Sequence, residues 1–199
     1  MILKICGIAI QDDASAAIEA GATAIGFNFY ARSPRYIRPE VAGEIVTAPG
    51  VRRVGVFVNE DRDRIAEVAR AARLDVAQLH GDETPADYPV ELAVWKAVRV
   101  DAAFDFAHYR DPAEALLLDG PAGELYGGSG KHFDWSVARH TSRRIVLAGG
   151  LDASNVALAI ELVRPWGVDA CSRIESAPGR KDRRKMMEFL QAAMAAVHA

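Results

Sequence analysis

The chain has 199 residues, 50% of them hydrophobic and 26% charged, with a formal net charge of -3. That balance is ordinary for a globular protein and carries no electrostatic footprint for nucleic acid or an anionic membrane surface. Two cysteines are too few for a disulfide scaffold or a zinc set, and no apolar run approaches the ~20 residues needed to span a bilayer.

The length suits one domain spanning residues 1–199. The N-terminus runs directly into an apolar segment, without a basic leader or a small-residue cleavage site, so a cytoplasmic location is expected.

In chain order, Ile2–Cys6 reads as a first strand. Asp12–Ala20 follows as a helix, with an acidic start at Asp12 and Asp13 and a glycine stop at Gly21. Ala24–Phe29 is a second strand, and Pro39-Glu40 opens a second helix, proline being suited to the first helical turn. After a third strand at Arg53–Val58, Asp61–Arg73 places Ile65, Val68, Ala69 and Ala72 on one helical face. Val76–Leu79, Val94–Val98 and Ala115–Asp119 read as three more strands, with weak helical signals at Asp82–Tyr88 and Ala102–Ala107 between them. Another weak signal at Asp134–Ala138 precedes the strand Ile145–Ala148. Asp152–Val163 begins Asp-Ala-Ser-Asn, a good capping stretch. Val168–Cys171 is the eighth strand. Lys181–Val197 closes the chain, with Met186, Phe189, Leu190 and Met194 on one stripe. The basic run Arg180, Lys181, Arg183, Arg184 and Lys185 reads as a solvated helix face.

Eight short, nearly continuous apolar runs are expected of parallel strands buried on both faces. Eight strands alternating with helical links in 199 residues fit a compact α/β fold, a (β/α)8 TIM barrel. A doubly wound open sheet competes, but it typically uses five or six strands, and no G-x-G-x-x-G follows the first one.

Two of these strands end in a proton-transfer group: Cys6 before Gly7, and Asp119 before Gly120. In a parallel barrel both ends converge on one mouth. A thiol works as a general base only as thiolate, so a cation or a helix N-terminus near Cys6 is required. The bland alternative is a small buried hydrophobe. A partly desolvated Asp119 can donate a proton, while its bland alternative is a turn former before Gly120-Pro121. Gly149 and Gly150 follow the seventh strand and Ser172 and Arg173 the eighth, the loops that often hold phosphate in such barrels. Arg35, in a long loop after the second strand, suits bidentate capture of a carboxylate or phosphate. His80 ends the fourth strand, where a hydrogen-bonded structural role is the simpler reading. Gly127-Gly128-Ser129-Gly130-Lys131 lacks the Walker spacing and reads as a lid over the mouth.

Several segments, taken in order, resemble phosphoribosylanthranilate isomerase of tryptophan biosynthesis. They are Lys4-Ile5-Cys6-Gly7-Ile8, Gly26-Phe27 with Ser33-Pro34-Arg35-Tyr36, Gln78-Leu79-His80-Gly81, Leu117-Leu118-Asp119, Gly127–Lys131 with Phe133-Asp134-Trp135, Leu147–Leu151, and Glu175 with Pro178-Gly179 and Lys181-Asp182. The resemblance runs from Lys4 to Asp182. It implies an aldose–ketose isomerase in which Asp119 protonates the furanose ring oxygen and Cys6 removes the C2′ proton. Arg35 would bind the anthranilate carboxylate, and the loops at Gly149-Gly150 and Ser172-Arg173 the phosphate. It further implies a small phosphorylated substrate, no cofactor or metal, no nucleic-acid or membrane partner, and a monomer or homodimer.

The chain departs from the family pattern at Cys171-Ser172-Arg173, where Ser-Ser-Gly is usual, at Ala9, usually threonine, and at Ser129 and His132, where threonine is common. Arg173 would be strained if its position required positive φ. It would either contact phosphate or fill the site, and if turned inward it would lower the Cys6 pKa. The eighth strand would lie beside the first, bringing Cys171 close to Cys6, within reach of an oxidative cross-link. The alternatives are a barrel enzyme acting on a different phosphosugar and a scaffold that binds one without catalysis.

Overall fold

A computed structural model describes residues 1–100, 106, 109–119, 135–139 and 141–197. The glycine-rich segment 127–131 and most of the weak helical signal at 102–107 lie outside the described residues.

Eight parallel strands close into a barrel in sequential order. They are β1 (Ile2–Ile5), β2 (Ala24–Asn28), β3 (Arg52–Phe57), β4 (Val76–Leu79), β5 (Ala93–Arg99), β6 (Ala115–Asp119), β7 (Ile145–Leu147) and β8 (Gly167–Ala170). Each lies within two residues of its sequence-predicted run. Closure is made by β1 against β8, in the register Ile2↔Gly167, Leu3↔Val168, Lys4↔Asp169 and Ile5↔Ala170. The open doubly wound sheet is thereby excluded.

Alternate side chains divide the strands into two cores. Ala24, Val54, Val76, Trp95, Ala115, Leu117, Val146 and Ala148 fill the barrel interior. Leu3, Ile5, Ile25, Phe27, Phe57, Leu79, Leu116, Leu118 and Val168 face outward into the shell beneath the helices. At the N-terminal end of the barrel, Trp95 is fully buried; its Nε1 donates to Glu114 at 2.9 Å and its ring meets Trp166 edge-on at 5.6 Å. This end is a plug, so the opposite end is left for ligands.

The outer layer contains α1 (Gln11–Glu19), α2 (Pro39–Glu44), α3 (Arg62–Ala72), α4 (Val156–Val163) and α5 (Arg183–Val197). In α3, the Asp61 carboxylate caps the backbone N–H groups of Asp63 at 2.8 Å and Arg64 at 3.3 Å, and Arg73 ends the helix at φ 54°. The weak signals at Asp82–Tyr88 and Asp134–Ala138 become single 3₁₀ turns, Pro85–Asp87 and Trp135–Ala138.

Two boundaries move. The capping stretch Asp152–Asn155 precedes α4 instead of opening it, because Asp152 accepts from Ser154 N at 2.9 Å and Asn155 Oδ1 accepts from Asp152 N at 3.0 Å. These side chains stabilise a local turn in competition with helix. The last helix starts two residues late, because Arg180–Lys181 (β10) pairs antiparallel with Glu175–Ala177 (β9). Among the described residues, no helix is long and apolar enough to cross a membrane.

The helical layer is tight where α2 meets α3. A Cβ on Gly43 would lie 2.2 Å from the backbone oxygen of Ala71. Overpacking against backbone cannot be relieved by a rotamer change. Gly43→Ala is therefore expected to lower stability by about 2–3 kcal/mol, read as a lower urea midpoint at unchanged m-value.

Candidate active site

Every site residue expected from the sequence lines one pocket at the C-terminal end of the barrel. Cys6, Arg35, Asp119, Gly149, Gly150, Ser172 and Arg173 surround an open space of about 740 Å³, together with Lys4's partner Asp169, Gln78, His80 and Cys171. The convergence follows from strand alternation. Lys4 and Cys6 share the inward face of β1 and its end, Gln78 and His80 that of β4, Leu117 and Asp119 that of β6, and Asp169 and Cys171 that of β8.

Lys4 is fully buried, and its ammonium donates to Asp169 Oδ2 at 2.9 Å. Burial is the largest influence and opposes its charge, but Asp169 and Cys6 together outweigh it and hold the lysine above its usual range. Asp169 is pushed up to about 7, first by burial, against the pull of Lys4, and further by the negative charges of Cys6 and Asp119. Among the described residues its Oδ1 has no hydrogen-bond partner, so an acceptor faces the site.

Cys6 is buried beside this pair. A Cβ on Gly26 would lie 2.9 Å from Cys6 Sγ and 3.0 Å from Lys4 Nζ, so both groups occupy the space that glycine leaves in β2. The Cys6 thiol is held well below its ordinary range. The neighbouring Cys171 thiol, as a hydrogen-bond partner, is the largest cause, opposed by burial, and the charges of Lys4 and Lys181 add to it. Cys171 is driven in the opposite direction, first by that hydrogen bond and then by burial. Both cysteines are free thiols, and the closeness expected of the first and eighth strands is present.

A second ionic cluster borders the thiols. Glu175 accepts from Arg35 Nε at 2.9 Å and Nη2 at 2.7 Å, and from Lys181 Nζ at 2.9 Å. Arg35 therefore lines the pocket already anchored through a bidentate pair, with part of its fork left for a ligand. Gly7, at φ 74°, lets this loop close in: a Cβ there would lie 2.8 Å from Arg35 Cδ and 3.2 Å from Cys171 Sγ. Lys181, expected on a solvated face, is instead fully buried, with its Nζ 3.3 Å from the Cys171 carbonyl and 3.9 Å from its sulfur.

His80 is pushed down to about 3 by burial and then by Lys4, Lys96 and Arg99. Its neutral ring lies 2.6 Å from the Gln78 amide, in the hydrogen-bonded role that the sequence suggests. Gly81 is required for the turn that follows, since a Cβ there would lie 2.0 Å from Asn59 Oδ1.

At the other side of the mouth, Gly149 (φ 80°) and Gly150 (φ 71°) form a turn that side chains rarely adopt. Asn155 Nδ2 donates to Gly150 O at 2.9 Å and holds that turn ahead of α4. Ser172–Ile174 forms a 3₁₀ turn in which Arg173 keeps negative φ, so the expected backbone strain is absent. The half-exposed Arg173 side chain turns to the rim, where Nε donates to Asp152 Oδ2 at 2.8 Å. The charges acting on Cys6 are those of Lys4 and Lys181, which takes the place of the inward Arg173 considered above.

Lys4, Asp169 and Lys181 were not among the candidates from sequence. The signal for the first two was present: Lys4 stands two residues before Cys6, and Asp169 two before Cys171, on the same strand faces. Nothing local distinguishes Lys181 from its basic neighbours; its burial depends on the β9–β10 hairpin.

The family model described as N-(5'phosphoribosyl)anthranilate (PRA) isomerase matches residues 3–192. The chain is 68% identical over 200 residues to the N-(5'-phosphoribosyl)anthranilate isomerase of Solibacter usitatus (strain Ellin6076), covering 100% of both chains. The crystal structure of phosphoribosyl anthranilate isomerase from Thermus thermophilus superposes with a TM-score of 0.89 at 36% identity, covering 98% of this chain and 99% of that one. Another phosphoribosyl anthranilate isomerase, solved in complex with reduced 1-(o-carboxyphenylamino)-1-deoxyribulose 5-phosphate, superposes at a TM-score of 0.80 and 38% identity, covering 98% and 100%.

The electrostatics generate a test. Lys4→Met alone would orphan a buried carboxylate, so it is combined with Asp169→Asn. The double variant is expected to shift the pH profile of Cys6 alkylation by iodoacetamide to higher pH, while Arg173→Gly leaves it unchanged. The rates are read on the Cys6-containing peptide by mass spectrometry.

Proposed function

The chain belongs to the N-(5'-phosphoribosyl)anthranilate isomerase family, and we propose that it performs this isomerisation with Cys6 as general base and Asp119 as general acid. The activity is an aldose–ketose isomerisation: N-(5-phosphoribosyl)anthranilate becomes 1-(2-carboxyphenylamino)-1-deoxyribulose 5-phosphate. The observation that carries the assignment is that Cys6, held toward thiolate, and Asp119 line the same pocket.

The steps follow from the chemistry of an Amadori rearrangement. Asp119 gives its proton to the furanose ring oxygen, and the C1′–O bond breaks as the aniline nitrogen lone pair forms a C=N bond. The resulting iminium makes the C2′ proton acidic. The Cys6 thiolate takes that proton, and the electron pair passes into an enolamine. Tautomerisation of the enolamine gives the C2′ ketone and the C1′ methylene. Atoms are conserved and no external oxidant or reductant is consumed, so paired acid–base groups are sufficient.

Substrate binding divides by charge. Arg35, fixed by Glu175, is the partner for the anthranilate carboxylate. The Gly149-Gly150 turn and Ser172 are the phosphate end, with Arg173 adding a cation at its rim. Arg173 is half-exposed and paired with Asp152, so solvent screens its charge and its contribution is small. All these groups come from one chain, which suits a monomer or a homodimer. We further propose that residues 1–199 act as one barrel domain, in the cytoplasm, without a metal or cofactor.

Steady-state fluorescence assays, with substrate generated in situ from anthranilate and phosphoribosyl pyrophosphate, test the roles. Cys6→Ala and Asp119→Asn should each reduce turnover by at least about 10³-fold while circular dichroism stays unchanged. Residual turnover near wild type in either variant rejects that residue's role. Arg173→Gly should raise KM by about two- to fivefold and leave kcat nearly constant. An unchanged KM removes Arg173 from the phosphate end.

A further inference from the structure

Cys171 stands where serine is usual in the family pattern, and it lines the same pocket as the proposed base. The β1–β8 pairing continues beyond the strands, with Cys6 N donating to Ala170 O at 2.9 Å. The next residue on β8's inward face is Cys171. Its sulfur packs over Gly7, 3.2 Å from the position of a Cβ there, and it shares the pocket with Cys6. Lys181 lies 3.3 Å from the Cys171 carbonyl and is held by Glu175. The two thiols therefore sit in a restrained pair, not on mobile side chains at the pocket rim.

We propose that Cys171 is a positioning residue for the isomerisation, keeping its own proton and using it to donate a hydrogen bond to the Cys6 sulfur, so that Cys6 is both ionised and aimed at the substrate. The proposal rests on Cys6 being the base.

Charged groups approach the pair from both sides. Lys4 of β1 packs beside Cys6, its Nζ and the Cys6 sulfur meeting over Gly26. Lys181 of β10, its Nζ 3.9 Å from the Cys171 sulfur, and Arg35 approach from the Cys171 side, and Glu175 engages both cations. Asp169 of β8 opposes a thiolate, yet it is itself paired with Lys4. Asp119 of β6 and the neutral His80 of β4 complete the wall of the pocket. Lys4 is committed to Asp169 just as Arg35 and Lys181 are to Glu175, so the cations alone do not choose the sulfur. With Cys6 as the base, a second thiolate beside it would be repelled, so Cys171 keeps its proton and serves as a charge-assisted S–H donor. The directions of the two thiols' shifts, down for Cys6 and up for Cys171, agree with that assignment.

A donor at this position has a consequence that packing alone does not. Cys171→Ala removes the donor, Cys171→Val removes it while restoring volume, and Cys171→Ser keeps a donor of different reach. Iodoacetamide labelling of Cys6 in the substrate-free protein, under reducing conditions and across pH, reads the thiolate directly. In the Ala and Val variants, labelling just below neutral pH should slow by about tenfold. The acid limb of kcat/KM should move to higher pH in step, and the Ser variant should recover most of both. Overlapping labelling profiles for wild type and both apolar variants would overturn the proposal, as would a Ser variant indistinguishable from Ala. Because labelling needs no substrate, it separates this proposal from the assignment of the base. If Cys6→Ala retains turnover, the base assignment fails whatever the labelling shows.

Discussion

The pairing of β1 with β8 is the constraint on which the rest of the site depends. It closes the barrel, and its register sets Lys4 directly opposite Asp169. One alternation later it brings Cys6 to Cys171. A one-residue slip of β1 would turn Lys4 and Cys6 into the outer apolar shell and Ile5 into the mouth, and a slip of β8 would likewise turn Asp169 and Cys171 outward and Ala170 into the mouth. The hydrophobic pattern forbids that slip, because Leu3, Ile5, Val168 and Ala170 belong to the buried layer under the helices. Fold and chemistry are therefore specified by the same alternation.

The buried charges show why this arrangement does not simply destabilise the protein. Removing one member of a buried pair such as Lys4–Asp169 typically costs about 3–5 kcal/mol, so each is locked in place by the other. Around Glu175 the balance differs. Two cations, Arg35 and Lys181, share one carboxylate. The cluster carries a net positive charge beside the thiols, and the Lys4–Asp169 pair adds to it when Asp169, pushed up to about 7, takes a proton. A positive, partly dehydrated pocket favours both a thiolate and an anionic ligand. These two requirements of the proposed reaction are met by one electrostatic field.

The parts of the fold legible in the sequence were those governed by short-range rules. Continuous apolar runs marked all eight strands, and Asp61 with Arg73 bracketed α3 closely. Cys6 and Asp119 were legible because a reactive side chain ended an apolar run. The misread elements depend on contacts that no local window contains. Asp152 and Asn155 looked like helix caps but fold into a turn of their own, since the same side chains satisfy either structure. Lys181 looked solvated because its neighbours are basic. It is buried because β9 and β10 fold back and place it over Glu175, while Arg184 follows the surface rule and pairs with Glu188 one turn on. Lys4 shares the inward face of Cys6, but its partner Asp169 lies on β8, so its burial becomes visible only once β1 pairs with β8.

The departure at Cys171-Ser172-Arg173 is resolved by the same geometry. Continued strand alternation would point Cys171 and Arg173 to the same side, because a single residue separates them. The 3₁₀ turn over Ser172–Ile174 breaks that alternation and sends the two side chains to different places. Cys171 goes inward to the base, and Arg173 goes to the rim and Asp152. A glycine is thus dispensable at position 173, where the backbone keeps negative φ. Glycine remains necessary at 149 and 150, where φ is positive and the turn approaches the phosphate end. Close backbone approach to an anion is concentrated in the loop after β7, which leaves the loop after β8 free to differ in its side chains.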